Sequence, residues 1–148
     1  MRYEQQIERP LVLEAPLTPA IGGQSGEALP SQVVRVLGDV TFAPGSAALL
    51  PPSRARLDRF AEWLSSSYPD GDYRLEIQGH TDAHGSDAGN ERLGLGRAEV
   101  VRRYLCELLV LPLDRALVVS AGARSPVDDD GTVAGRSRNR RVVVLVLR

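Results

Sequence analysis

Strand-like and helical patterns alternate along this chain, and that alternation restricts the fold more than any other feature of the sequence. Val142–Leu147 is an unbroken apolar run of strand length, which predicts a strand that is buried on both faces. Residues 73–78 alternate between apolar and polar side chains, and this period of two predicts a half-buried strand. Apolar residues at helical spacing predict a helix before it, at Leu57, Phe60, Ala61 and Leu64.

The same two periodicities predict the remaining elements. Further strands are predicted at Val33–Leu37, at Val40–Phe42 after a turn at Gly38-Asp39, and at Leu117–Ser120. A second helix is predicted from Asn90 to about Leu109, with an inward side formed by Leu93, Arg97, Val100, Val101, Tyr104, Leu105 and Leu108. This order predicts an α/β (α+β) fold. We expect a two-layer sandwich in which helices pack on a mixed sheet of the β-α-β-α-β-β type.

The beginning of the chain differs in composition from the rest. Residues 1–31 contain a glycine-rich stretch at 22–26 and four prolines, at Pro10, Pro16, Pro19 and Pro30. This composition predicts an extended arm or linker, so that residues 32–148 form the folded domain. Leu11–Leu13 is a candidate for a short edge strand within the arm. We expect the arm to pack on its own domain or on a neighbouring protein.

The overall composition argues against several classes of protein. The formal net charge is -1, so no overall field attracts nucleic acid. No apolar run approaches the roughly 18 residues of a membrane span, and no apolar stretch typical of a signal peptide follows Met1. No nucleophile can be combined with a base and an orienting group, so we predict neither an enzyme nor a bound cofactor.

Two polar clusters carry the chemistry of the sequence. The first, Gly79–Gly85, follows a predicted strand and contains Asp82, and the second, Gly135–Val142, precedes the last strand. Arg97 lies on the predicted second helix. Presented to one groove, Asp82 and Arg97 form a receptor for a zwitterion, because a carboxylate accepts bonds from an ammonium and a guanidinium binds a carboxylate through two bonds. On spacing alone, a salt bridge between Asp82 and Arg97 explains the pair equally well.

A set of motifs runs in fixed order through residues 40–148. They are Phe42 with Ser46 and Leu49; Gly79-His80-Thr81-Asp82 with Gly85; Asn90, Leu93, Arg97, Ala98, Val101, Tyr104 and Leu105; Gly122 and Pro126; and Thr132, Gly135, Arg136, Asn139, Arg140, Arg141 and Val142. In this order and spacing they resemble the OmpA-like family of peptidoglycan-binding domains. That family occurs in the tails of outer-membrane proteins, in peptidoglycan-associated lipoproteins and in flagellar stator proteins.

The resemblance implies non-covalent binding of peptidoglycan through the diaminopimelate of its stem peptide, which anchors an envelope protein or complex to the cell wall. In such domains an aspartate holds the ammonium of the ligand, and an arginine fifteen positions later holds its carboxylate. The ligand-binding residues implied in this sequence are Asp82, Arg97, Asn90, Arg140, Thr81 and Ser137. The resemblance also implies a periplasmic or cell-envelope location, which assumes that a signal or anchor has been removed.

The sequence departs from the family pattern at two places. Ala43-Pro44-Gly45 stands where polar or acidic groups are usual, so contacts from that side of the pocket are expected to be lost. Gly94 and Gly96 lie inside the predicted helix, where they either permit close approach of another backbone or loosen the helix. These departures and the arm motivate an alternative: a structural module of an envelope complex, with weak or lost wall binding and with protein partners bound through the arm.

A metal site is a further alternative. His80, Asp82 and His84 alternate, so in an extended segment their side chains share one face and could ligate zinc. His80 and His84 are the two histidines of the chain, so a site with more ligands needs distant carboxylates. The competing interpretation is a loop-anchoring hydrogen bond for His80 and an exposed position for His84.

Overall fold

The apolar run at the end of the chain forms β4, Arg141–Leu147, which is one of the two inner strands of the sheet, and every one of its residues is buried. The first strand, β1, Val33–Thr41, pairs antiparallel with one edge of β4, and β2, Arg74–His80, pairs antiparallel with the other. Parallel to β2 lies β3, Ala116–Gly122, which gives the strand order β1-β4-β2-β3. The prediction that the last strand is buried on both faces is confirmed.

Helices connect these strands. Helix α1 is Pro51–Ser67, helix α2 is Asp87–Leu109, and the short helix α3, Val133–Asn139, leads into β4. A 3₁₀ turn, Leu113–Arg115, precedes β3. The α/β sandwich with a mixed sheet is therefore confirmed. These elements belong to a computed structural model in which residues 32–148 are described, and the predicted arm, residues 1–31, lies outside the described residues.

Two boundaries differ from the sequence prediction. The first two predicted strands are one strand, because Gly38-Asp39 forms an irregularity in the pairing with β4 between Leu37 and Val40 and does not reverse the chain. Helix α2 starts three residues before the predicted Asn90, at Asp87, since Ser86 caps it by accepting a hydrogen bond from the Gly89 amide at 3.0 Å.

The buried face of α2 is rotated from the predicted one. It runs through Gly94, Ala98, Val101 and Leu105, whereas Leu108 is 47% exposed, so the prediction of an inward Leu108 is wrong. The reason is the contact between Gly94 and Gly79 of β2. A Cβ atom added to Gly79 would lie 1.7 Å from the Gly94 carbonyl oxygen, so the two backbones touch where no side chain fits. Close approach is therefore the role of Gly94.

Substitution of the two helical glycines tests this packing. In Gly94→Ala the new Cβ would meet the Ser120 Oγ at 2.3 Å and the Gly79 oxygen at 2.8 Å, and we expect a loss of about 3 kcal/mol in the free energy of unfolding. Gly96→Ala is the matched control, because its Cβ would lie 3.8 Å from Ala47. We expect it to stabilise the helix by up to about 1 kcal/mol. Urea denaturation measures both, and equal effects would contradict the assignment.

The second face of β2 carries buried polar side chains. Glu76 and Gln78 are each 1% exposed, and the Gln78 amide donates to the Glu76 carboxylate at 3.2 Å. Burial raises the pKa of Glu76 to about 7, against the opposing effects of the Gln78 hydrogen bond and the charge of Arg74. Because the folded state holds this proton more tightly than the unfolded state, Glu76 favours folding most below pH about 4.5, and this contribution disappears as the pH rises through about 7.

Glu76→Gln isolates this contribution, because the amide stays neutral at every pH. Between pH 5 and pH 8 we expect wild type to lose stability relative to Glu76→Gln, by up to about 3 kcal/mol, since each pKa unit corresponds to about 1.4 kcal/mol. Chemical denaturation of both proteins across this range measures the difference. Parallel pH profiles would show that the Glu76 carboxyl is not perturbed.

Candidate ligand-binding cleft

A cleft of about 410 Å³ opens where the end of β2, the start of α2 and the junction of α3 with β4 meet. Its wall is formed by Pro44, Gly45, Asp82, His84, Gly85, Asn90, Leu93, Arg97, Arg136 and Arg140. Four candidates from the sequence are brought together here: Asp82, Asn90, Arg97 and Arg140. Thr81 and Ser137 are absent from the wall.

Arg97 is a buried cation that three backbone carbonyls hold in place. Its Nε donates to the Ser46 oxygen at 2.8 Å, its Nη1 to the His80 oxygen at 3.0 Å and its Nη2 to the Ala43 oxygen at 3.0 Å. The residue is 0% exposed, and its guanidinium carbon lies 5.2 Å from the centre of the Phe42 ring. One side chain from α2 thus fixes both the loop after β1 and the end of β2.

Burial is also the main cause of a lowered pKa of Arg97, about 10, which the nearby charge of Arg140 lowers and that of Asp82 raises. At neutral pH the guanidinium remains charged. A guanidinium has five N–H groups, and the three carbonyls take one each, so two are not used by these carbonyls. The three bonds fix the orientation of the guanidinium when the domain folds.

Asp82 forms the anionic part of the cleft. Its Oδ2 accepts from the Arg140 Nη1 at 3.1 Å, and its Oδ1 accepts from the His84 backbone amide at 3.1 Å in a tight local turn. Arg140 is fixed in turn by a bond from its Nε to the Phe42 oxygen at 2.9 Å. Asp82 is ion-paired with Arg140 and not with Arg97, so the interpretation of Asp82 and Arg97 as a mutual salt bridge is wrong.

The other sequence candidates have different surroundings. Asn90 is 6% exposed, lies in the first turn of α2 and, among the described residues, makes no side-chain hydrogen bond, so its amide is available at the cleft wall. Thr81 is buried beside the cleft with its hydroxyl unpaired among residues 32–148. Ser137 lies half-buried on α3, outside the cleft wall.

The structure argues against the zinc alternative. His80 is 2% exposed, and burial and the charges of Arg141 and Arg124 hold its pKa well below the ordinary value, so the ring is neutral. The His84 side chain is 77% exposed. Within residues 32–148, no three histidine, cysteine, aspartate or glutamate side chains cluster as metal ligands. The loop-anchoring role considered for His80 is also wrong, because neither ring nitrogen has a partner among these residues.

The sequence analysis did not predict a hydrogen-bond network behind the cleft, which is formed by Asn139 and Asp130. The Asn139 Oδ1 accepts from the Val127 and Asp128 amides, and its Nδ2 donates to Asp130 Oδ1 at 2.9 Å. The other oxygen of Asp130 accepts from the Ala83 amide at 3.0 Å, next to Asp82. The turn at Asp128–Asp130 therefore connects α3 to the loop after β2 that contains Asp82 and Ala83. The run Asn139-Arg140-Arg141 indicates this region in the sequence, but no local pattern shows that Asp130 reaches Ala83, 47 residues away.

Removal of Arg97 tests its structural role separately from binding. In Arg97→Met three carbonyls lose their donor, and at about 1–3 kcal/mol for each unsatisfied group we expect a loss of about 3 kcal/mol or more in the free energy of unfolding. Arg103→Met on the same helix is the control, because the Arg103 side chain is 75% exposed and its ion pair with Glu99 spans 3.5 Å. Equal stability of the two variants in urea denaturation would refute the bracing role.

Known proteins share this sequence and fold. A model of the OmpA family matches residues 41–140. Outer membrane porin F of Pseudomonas fluorescens is 39% identical over 112 residues, which cover 76% of this chain and 33% of that protein. Peptidoglycan-binding protein ArfA of Mycobacterium tuberculosis is 34% identical over 134 residues, which cover 90% of this chain and 40% of that protein. The chain thus spans well under half the length of these relatives.

A solved structure shows the same architecture. The peptidoglycan-associated lipoprotein of Burkholderia pseudomallei superposes with a TM-score of 0.63 at 33% sequence identity, over 76% of this chain and 91% of that one. Among the described residues, no helix combines the length and the hydrophobicity that crossing a membrane requires. With the family match covering most of the chain and the same fold in a solved relative, the chain belongs to the OmpA family.

Proposed function

We propose that this domain binds peptidoglycan non-covalently, through the diaminopimelate of the stem peptide, and thereby anchors an envelope protein to the cell wall. The single observation that carries the proposal is the cleft, in which one carboxylate and two guanidiniums are held in place by the fold. The proposal assigns no catalytic role, because the polar side chains of the cleft include no nucleophile beside a base.

The ammonium of the ligand is assigned to Asp82. Each carboxylate oxygen offers about two acceptor sites, and each oxygen of Asp82 receives one donor within the protein. One site on each oxygen therefore remains. An ammonium placed there balances the excess positive charge of the cleft wall, which includes Arg136 as well as Arg97 and Arg140.

The carboxylate of the ligand is assigned to the two remaining N–H groups of Arg97, with the amide of Asn90 as a further donor. The free end of diaminopimelate carries both groups on one carbon, so its ammonium and carboxylate reach Asp82 and Arg97 together. A lysine at the same position of the stem peptide keeps the ammonium and lacks the carboxylate. The cleft is therefore expected to distinguish these two types of cell wall.

The relatives support wall anchoring as the role of the module. One curated relative is named as a peptidoglycan-binding protein, and the solved relative is a peptidoglycan-associated lipoprotein. Because this chain corresponds to only part of the curated proteins, we assign it the wall-binding step of a larger envelope assembly in the periplasm or outer membrane.

An assembly module with weak wall binding is the second candidate. Pro44 and Gly45 line the cleft and contribute no side-chain hydrogen-bond donor or acceptor on that side. The Ala43 carbonyl, from the same loop, already accepts from Arg97. Fewer contacts from this loop lower the expected affinity, and the proposal therefore requires a direct binding measurement.

Co-sedimentation with purified sacculi is that measurement. We expect wild type to bind diaminopimelate-type sacculi and Asp82→Asn to lose binding at least tenfold, since a charge-assisted bond contributes about 1.5–3 kcal/mol. Asp82→Asn keeps the size of the side chain, and Arg103→Met, on the exposed side of α2, controls for non-specific adsorption. Free diaminopimelate should compete with the wall, whereas pimelate, which lacks the amino groups, should not.

Two outcomes distinguish wall binding in general from specific recognition of diaminopimelate. Equal binding to lysine-type sacculi would remove the diaminopimelate assignment while leaving wall binding in place. Wild type that stays in the supernatant, with its fold verified by circular dichroism, would overturn wall binding and favour the assembly module.

A further inference from the structure

Arg136 is the cation of the cleft wall to which the proposed function gives no partner. Three guanidiniums line the cleft, those of Arg97, Arg136 and Arg140, together with the carboxylate of Asp82. Asp82 is ion-paired with Arg140, and the ligand carboxylate at the free end of diaminopimelate is assigned to Arg97. Among the described residues, Arg136 forms no salt bridge. One guanidinium is therefore left for a further anionic group of the ligand.

The fold holds Arg136 at this wall by packing α3 closely on the turn that precedes it. A Cβ atom added to Gly135 would lie 1.7 Å from the Asp129 carbonyl oxygen, so the two backbones touch. This contact brings the next residue, Arg136, beside the turn, where its Nη1 donates to the Asp130 carbonyl oxygen at 3.0 Å. The Asp130 carboxylate in turn accepts from the Ala83 amide at 3.0 Å. Arg136 is thus connected to the loop after β2, which forms the anionic part of the cleft.

The guanidinium of Arg136 can bind a carboxylate in this position. Among the described residues, its one hydrogen bond goes to a neutral carbonyl, which uses one of five N–H groups and leaves the charge without a carboxylate. A guanidinium binds a carboxylate through two parallel bonds. The cleft, at about 410 Å³, also has the size of sites that enclose ligands larger than a single amino-acid end.

We propose that Arg136 binds a second carboxylate of the stem peptide, outside the zwitterionic end of diaminopimelate, and thereby makes binding sensitive to amidation of the peptide. This inference rests on the proposed function. Two groups of the peptide have the required chemistry. One is the α-carboxylate of the glutamyl residue before diaminopimelate, which is linked through its side chain, and the other is the carboxylate of diaminopimelate beside that peptide bond. Amidation of either group removes its charge and nearly keeps its size.

Calorimetric titration of the full chain with three synthetic tripeptides tests the proposal. All three end in diaminopimelate; one carries both carboxylates, and each of the others has one of them amidated. We expect one amidation to weaken binding to wild type at least about fivefold, and that peptide identifies the carboxylate. Arg136→Gln should bind the unmodified peptide as weakly as wild type binds the amidated one, and should no longer respond to that amidation.

Arg138→Gln is the matched control. Arg138 lies two positions further along α3, its side chain is 51% exposed, and it is absent from the cleft wall. The variant therefore removes the same charge without removing the proposed contact, and we expect it to keep the affinity of wild type and its response to amidation. Arg136→Lys replaces Arg136→Gln if circular dichroism shows that the latter has unfolded. It keeps a cation without the planar fork, so a smaller response to amidation is then expected.

A purely structural role of Arg136, through its bond to the Asp130 carbonyl, predicts a different result. Arg136→Gln would then weaken binding of all three peptides by the same factor and keep the response to amidation, which would overturn the proposal. Equal binding of the three peptides to wild type would also overturn it, while leaving recognition of diaminopimelate in place. Folded wild type that binds none of them would instead contradict the proposed function, and the assignment of Arg136 with it.

Discussion

The buried guanidinium of Arg97 is the interaction on which the cleft depends. It joins α2 to two segments that are distant in sequence, because one planar group donates at once to the carbonyls of Ala43 and Ser46 in the loop after β1 and of His80 at the end of β2. A lysine ammonium is a compact charge without this fixed fork, and an apolar residue leaves the carbonyls unsatisfied. The same group therefore holds the loop after β1 against the sheet and places a cation at the wall of the cleft.

The second guanidinium extends this arrangement. Arg140 donates to the Phe42 carbonyl and to Asp82, so the loop after β1 is held from two directions and the acidic side chain is fixed between them. Burial is the main cause of the lowered pKa of Arg97; the charge of Arg140 lowers this pKa further, and the charge of Asp82 opposes both effects. Two guanidiniums and one carboxylate therefore meet at the wall of the cleft.

The fold followed from the sequence because its main signals are local. Period two in β2, period 3.6 in α1 and the unbroken apolar β4 each depend on neighbouring residues, and all three elements are confirmed. The prediction that β2 is half-buried is wrong, because Glu76 and Gln78 on its second face are each 1% exposed. The errors have tertiary causes. The periodicity of large apolar side chains predicts an inward Leu108, but the contact of Gly94 with Gly79 sets the rotation of α2. A glycine adds nothing to a pattern of apolar side chains, so the sequence pattern does not show this contact.

The geometry of the cleft is harder to predict from the sequence, because it also depends on tertiary contacts. Spacing suggested that Asp82 and Arg97 face one groove, and both line it, but it did not show that Arg140 takes the ion pair or that backbone carbonyls hold Arg97. Every residue has a backbone carbonyl, so the residue types in the sequence do not show which carbonyls accept hydrogen bonds from Arg97. The position of Arg97 depends in turn on the packing of Gly94 against Gly79. This contact sets the rotation of α2, and the rotation directs Arg97 toward the end of β2. An alanine at either glycine would therefore displace the guanidinium as well as the helix.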